Sequence, residues 1–281
     1  MPTLTPVACE AATPIIDRWT WNDPAELHEW GDEIKSETRD QHATAHDKKR
    51  WGIILAGGDD ARPSVLTRLI YGSEHPRQFC RPAARHTLLE QTQQRAARSI
   101  SPEQTIVAVT KAHQDFYETE LGGSFSYHLV QPCSRGTAPP IILSLLHITS
   151  YAPDALVAIL PSDHYYSDEA SFTASLESAF RLAHAERESI VLLGARPRGP
   201  EVDYGWIDLG RAVGENLFRV RAFEEKPDLA LARRLLRSGA LWNTFAMVGS
   251  ATAFLWMTFV SLPELVAELE ESSPLCDGNG N

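Results

Sequence analysis

The sequence predicts an α/β fold, a mostly parallel mixed sheet with helices on both faces. Three observations carry that expectation. Short, continuous apolar runs of strand length recur from Trp51 onward. Stretches with helical spacing of apolar residues lie between them. Several of the runs end in Gly, Pro or Asp, the residues of loops at the ends of buried strands. Strands that alternate with helices are joined by right-handed crossovers, and ligands in such sheets sit beyond the carboxyl ends of the strands.

Residues 1–48 stand apart as a polar, partly helical N-terminal extension. They hold Pro2, Pro6, Pro14 and Pro24 and then a charged stretch whose apolar stripe is limited to Leu27, Trp30 and Ile34. Residues 49–281 form the expected domain. Its first strand, 52–56, runs into Gly57-Gly58. Further strands are read at 105–109, 127–130, 155–160 and 190–194. Phe172, Leu176, Ala179, Phe180 and Ala183 mark one helix face. Leu229, Ala232, Leu235 and Leu236 mark another, with Pro227-Asp228 at its start and Gly239 past its end. The uncharged run 241–263 is read as a strand, a turn at Gly249-Ser250 and a buried helix, since polar residues open and break it and a membrane span is not expected.

With 26 Lys and Arg against 37 Asp and Glu, the net charge of −11 excludes a general binder of nucleic acid or anionic membrane. A small phosphorylated ligand needs only a few local basic groups. The four cysteines are scattered, without a CxxC pair, and no basic-then-apolar leader opens the chain. Both features fit a reducing cytoplasm.

Five segments carry polar chemistry at loop positions. Leu55, Ala56, Gly57 and Gly58 bring backbone close to a ligand, with Arg62 as a planar phosphate fork; a plain turn reads equally well. Arg77 lies in Pro76-Arg77-Gln78-Phe79. Gln131, whose amide has the groups to read a base edge, precedes Gly136-Thr137 at a helix start with free N–H groups. Ser162 and Asp163 follow the strand 155–160, where a carboxylate is placed to hold a hard cation, or else to cap a helix. Asp203-Tyr204-Gly205, Glu224 to Lys226 and Asn243 form the last group. Taken alone, Glu224 to Lys226 is better read as a solvated charge run.

Together and in order, LAGGDDAR, PRQF, QPCSRGTAPP, PSDH, DYGWI, FEEKP and LWNTF resemble the sugar-phosphate nucleotidyltransferases, most of all their mannose-1-phosphate guanylyltransferase-like branch. The pattern of that branch is LAGG-x-G-T-R, PKQF, QP-x-x-R-G-T-A-P, P-[SA]-D-H, EYG-[YW]-I, F-x-EKP and LWNSG. The resemblance implies a Rossmann-like nucleotidyltransferase domain. It implies transfer of a nucleotidyl group, GMP favoured, from a nucleoside triphosphate (GTP) to a sugar 1-phosphate (mannose 1-phosphate), with release of pyrophosphate. By position, Leu55, Ala56, Gly57, Gly58, Gln131, Gly136, Thr137 and Ser162 hold the nucleotide. Arg62, Arg77 and Asp163 are catalytic, and Asp163 binds Mg²⁺. Tyr204, Gly205, Glu224 and Asn243 meet the sugar, and Lys226 its phosphate. A homodimer stays open as the assembly.

Four departures qualify that implication. Asp60 and Ala61 replace the loop Gly and Thr, and a carboxylate there repels a triphosphate. Arg77 replaces a Lys. Thr244 and Phe245 replace Ser and Gly. The resemblance implies a second metal-binding Asp in an F-D-x-x-V segment, and none stands before Asn281, so a domain truncated at its C-terminus is expected. A weakly active homologue that binds nucleotide as a regulatory or partner subunit is the alternative reading.

Overall fold

The structure, a computed structural model, describes residues 13–17, 49–58, 71, 75–81, 86–121, 127–214 and 216–265. In chain order the elements are β1 (Thr13–Asp17), β2 (Arg50–Leu55), α1 (Leu88–Ala96), β3 (Thr105–Thr110), α2 (Gln114–Leu121), β4 (Tyr127–Gln131), α3 (Ala138–Tyr151), β5 (Leu156–Pro161), α4 (Glu169–Ala185), β6 (Ile190–Ala195), β7 (Gly205–Gly214), β8 (Leu217–Glu225), α5 (Leu229–Ser238), β9 (Leu241–Ser250) and α6 (Ala251–Ser261).

The strands form one mixed sheet in the order β4-β3-β2-β5-β9-β6-β1-β8-β7. Strands β4, β3, β2 and β5 run parallel, as the apolar runs of β2, β3 and β5 predict, while the edge strand β4 is largely exposed. In β5, Leu156, Ala158 and Leu160 face one hydrophobic cluster and Val157 and Ile159 the other, so the strand is buried on both sides. Helices α1, α2, α4 and α5 supply the first cluster, and α3 and α6 the second. The two helical stripes expected from the sequence are therefore α4 and α5. Asp228 caps α5 by accepting from the Leu231 N–H at 2.7 Å, and Gly239 ends it in the left-handed conformation (φ 81°).

The run 241–263 departs from its expected strand-turn-helix form. Strand β9 passes directly into α6, with Ser250 as the N-cap accepting from Ala253 N–H. One capping serine thus does what was expected of a turn. Strands β7 and β8 were not foreseen. The outer end of β7 is exposed, and β8 is half-exposed and rich in Arg and Glu, which hides the apolar alternation.

Nor was β1 foreseen. It lies antiparallel to β6 and parallel to β8. The other residues of the polar segment 1–48, including Leu27, Trp30 and Ile34, lie outside the described residues. Because β7 also pairs with β9, strands β9, β6, β1, β8 and β7 close a circuit. Ile207 and Leu241 form a small apolar cluster there, with Leu192, Leu209 and Val220 packed against it.

Candidate active site

The site is built along the edge of the sheet where the parallel strands end. Strand β2 stops at Leu55, and the chain turns through Ala56 and Gly57, both buried, to the exposed Gly58. Gly57 has no room for a side chain: a Cβ there would lie 2.6 Å from Thr110 Oγ1, 3.0 Å from Gln131 Nε2 and 3.2 Å from the Val109 carbonyl carbon. Gln131 ends β4, is buried, and is registered with Thr110 of β3. The glycine turn and Gln131 are therefore neighbours.

Strand β5 ends beside β2, with Leu55 opposite Pro161. Ser162 donates from Oγ to the Leu55 carbonyl at 2.6 Å. Asp163 follows with 36% of its side chain exposed, and its Oδ1 lies 3.8 Å from His164 Nε2. Desolvation holds the His164 imidazole below the usual histidine value; Asp163 opposes this, and Arg95 and Arg77 reinforce it. Behind this loop Arg95 is buried, makes a two-pronged bond to the Glu169 carboxylate (3.0 and 2.9 Å), and lies over the Tyr166 ring at 4.4 Å. That packing braces the loop between Ser162 and α4.

Strand β9 runs antiparallel to β5. That pairing ends at Ile159 and Met247; beyond it β9 bulges, so that against β6 Met247 is registered with Leu192 but Asn243 with Gly194. Asn243 accepts from the Phe245 N–H at 3.0 Å. Thr244 donates to the Leu193 carbonyl, next to the register shift in the β6–β9 pairing. Phe245 sits at φ 58°, the left-handed region that favours the glycine of the family pattern. Its half-buried ring packs on the α3–α6 side of the sheet.

On the far side of β9, a Cβ on Gly205 would lie 2.8 Å from Glu225 Oε2, 2.8 Å from the Phe223 ring and 3.4 Å from Asn243 Cβ. Gly205 is therefore a point of close approach. Tyr204 packs edge-on against Trp242, with ring centroids 5.1 Å apart, and its carbonyl accepts from Lys226 N–H at 3.2 Å. Lys226, at φ 47°, has its Nζ 3.8 Å from Glu225 Oε1.

This geometry corrects one expectation. Side chains alternate across a strand, so Glu225 and Phe223 share the Gly205 face while Glu224 points to the other. The signal was present in the sequence: F-x-EKP aligned on Phe223 places its acid at Glu225. At the start of α3, Gly136 (φ 88°) and Thr137 are exposed, as their expected role as donors requires, and Pro139 and Pro140 stand in the first turn of the helix. Arg77 is exposed on a one-turn helix, Arg77–Phe79, whose Gln78 points inward. Gln78 and Thr110 were not singled out from the sequence. Arg62, with Asp60 and Ala61, lies outside the described residues.

Among the described residues no group of three or more His, Cys, Asp or Glu is placed to hold a metal ion. Among the described residues at the ends of β2 and β5, Asp163 offers a carboxylate oxygen. One carboxylate fits a magnesium ion that takes its remaining ligands from substrate phosphates and water. Among the described residues no helix is long and apolar enough to cross a membrane.

Residues 51–256 match the family model described as Nucleotidyl transferase. A Xanthomonas campestris protein named xanthan biosynthesis protein XanB is 37% identical over 208 residues, covering 72% of this chain and 42% of that protein. A Salmonella typhimurium protein named mannose-1-phosphate guanylyltransferase RfbM is 29% identical over 226 residues, covering 78% of this chain and 46% of that protein. A Thermus thermophilus crystal structure, described as a mannose-1-phosphate geranyltransferase, matches with a TM-score of 0.64 at 26% identity, covering 79% of this chain and 64% of that one. The chain thus spans less than half the length of these two curated relatives.

Proposed function

The chain belongs to the nucleotidyl transferase family, and from that footing we propose that it transfers a guanylyl group from GTP to mannose 1-phosphate, giving the nucleotide-sugar and pyrophosphate. The observation that carries the reading is the order of groups along the sheet edge. Gln131 and the Gly57–Gly58 turn lie at one end, Asp163 in the middle, and Asn243, Gly205 and Glu225 at the other. A nucleotide at the first end and a sugar at the last would bring their phosphates together beside Asp163.

In this reading the turn and Gln131 hold the nucleotide, and Arg62 and Arg77 neutralise phosphate charge. Gly205 lets the sugar approach the backbone, where Glu225 and Asn243 meet its hydroxyls and Lys226 its phosphate. A phosphate monoester is already a nucleophile at neutral pH. Its oxygen attacks the α-phosphorus in line, the bond to the β-phosphate oxygen breaks, and pyrophosphate leaves without a general base or a covalent enzyme intermediate. The residues therefore act by positioning and charge stabilisation. A divalent cation on Asp163, Mg²⁺ in our proposal, supplies Lewis-acid charge neutralisation when bound.

Pyrophosphate release from GTP, mannose 1-phosphate and Mg²⁺ tests the proposal, with omission of each component as the control. Release that requires all three is expected. GTP binding without release for any sugar 1-phosphate overturns the transfer reading and favours a nucleotide-binding subunit, the reading that Asp60 supports.

A further inference from the structure

Three consecutive carbonyls of the glycine turn are each tied by a side chain from a different part of the fold. Leu55 O accepts from Ser162 Oγ at 2.6 Å, Ala56 O from Gln78 Nε2 at 2.8 Å, and Gly57 O from Thr110 Oγ1 at 2.6 Å. All three donor residues are buried. In a planar trans peptide the C=O of one residue and the N–H of the next point in opposite directions, and the described chain has no cis peptide bond. Each tied carbonyl therefore aims the following N–H. The Leu55 carbonyl sets Ala56 N–H, which donates to Ala108 O at 2.7 Å. The Ala56 carbonyl, held by Gln78, sets Gly57 N–H. The Gly57 carbonyl, held by Thr110, sets Gly58 N–H. The position of Gly58 is open, with nothing within 4 Å of an added Cβ.

We infer that Gln78 and Thr110 are positioning residues that turn the N–H groups of Gly57 and Gly58 toward the electronegative atoms of a bound nucleoside triphosphate. The inference rests on the proposed function, because it needs a nucleotide at this turn. It also explains the division of labour in the one-turn helix after Pro76: Arg77 faces out, while its neighbour Gln78 reaches in to the turn. Neither Gln78 nor Thr110 touches the ligand; both act through the backbone they hold.

The experiment compares Thr110→Val, Thr110→Ser and Gln78→Leu with the wild-type chain. GTP dissociation constants are read by calorimetry, KM for each substrate by pyrophosphate release, and thermal midpoints by circular dichroism. Thr110→Val and Gln78→Leu are expected to weaken GTP about tenfold while leaving KM for mannose 1-phosphate within about twofold, since the first loses the buried bond to Gly57 O and the second the bond to Ala56 O together with a 3.5 Å contact to His113 Nδ1. Thr110→Ser keeps the hydroxyl and is expected to hold GTP within about twofold of wild type. A lowered thermal midpoint with unchanged GTP affinity marks a merely structural role and overturns the inference. If Thr110→Val and Gln78→Leu do not fold, Gln78→Met decides, since a thioether of similar length has no proton to give Ala56 O; unchanged GTP affinity there also overturns it. A wild-type chain that binds no nucleoside triphosphate overturns the functional reading and the inference together. Wild-type binding with unaffected variants overturns the inference alone.

Discussion

Phe245 shows how a single position can reverse an ordinary rule. Alanine normally stabilises relative to glycine, but at φ 58° a Cβ is strained by about 1–2 kcal/mol. Phe245→Gly relieves that strain while losing half-buried ring contact, so its unfolding free energy is expected to stay within about 1 kcal/mol of wild type. Phe245→Ala loses the ring and keeps the strain, so it is expected to be the less stable of the two, as urea midpoints will show. The two adjacent acids before Lys226 differ in the same way by orientation. Glu225→Gln is expected to lower kcat/KM for the sugar phosphate about ten- to a hundredfold, the weight of a hydrogen bond to a charged group. Glu224→Gln, on the opposite face of β8, is expected to change it less than about threefold. Equal losses in both would contradict the face assignment. The place of Asp163 just beyond an apolar strand was readable from the sequence, whereas Gly205 and Lys226 came only from the resemblance, because β7 and β8 were not foreseen. For Glu224 and Glu225 local polarity gives no phase, since β8 mixes Arg and Glu side chains, and only the F-x-EKP alignment separated them.

Elements with clean periodicity were legible, and those whose polarity is mixed were not. Strands β2, β3 and β5, buried on both faces, announce themselves as apolar runs. Helix α5 is marked by its stripe and both caps. Strands β1, β7 and β8 carry their meaning in pairing partners far along the chain, which local pattern does not encode. Helix α1 begins with a capping box in which Thr87 and Glu90 satisfy each other's backbone N–H groups. Thr87→Ala is expected to destabilise by about 1 kcal/mol, read from urea unfolding. Between the one-turn helix of Arg77 and α1 lies Cys80, buried, with its thiol pushed up to about 11 by that burial while Arg77 pulls the other way. At pH 8 only about one thiol in a thousand is then the reactive thiolate. Iodoacetamide at pH 8 should modify the exposed Cys133 and spare Cys80, with peptide mass spectrometry as the readout. Rapid modification of Cys80 under native conditions would mean that this connection opens readily.

Across the molecule, the sheet has a parallel half that carries the glycine turn and Asp163 and a closed circuit of strands that carries Gly205 and Glu225, with β9 common to both. The row of site groups is continuous only because β9 pairs with β5 on one side and with β6 and β7 on the other. Strand β1 completes the circuit, and Ile16 lies between Val191 and Arg219. A proline there removes a ladder N–H from an interior strand, so Ile16→Pro is expected to destabilise by about 2–3 kcal/mol and lower the urea midpoint. An unchanged midpoint would show that the circuit does not need β1. Its position also has a consequence for synthesis. The earliest of the described strands to leave the ribosome has both its neighbours, Ile190–Ala195 and Leu217–Glu225, encoded far downstream. The circuit of strands can be assembled only after most of the chain has been translated, and until then Thr13–Asp17 is an open β-strand template that a chaperone, or another nascent copy, is free to engage.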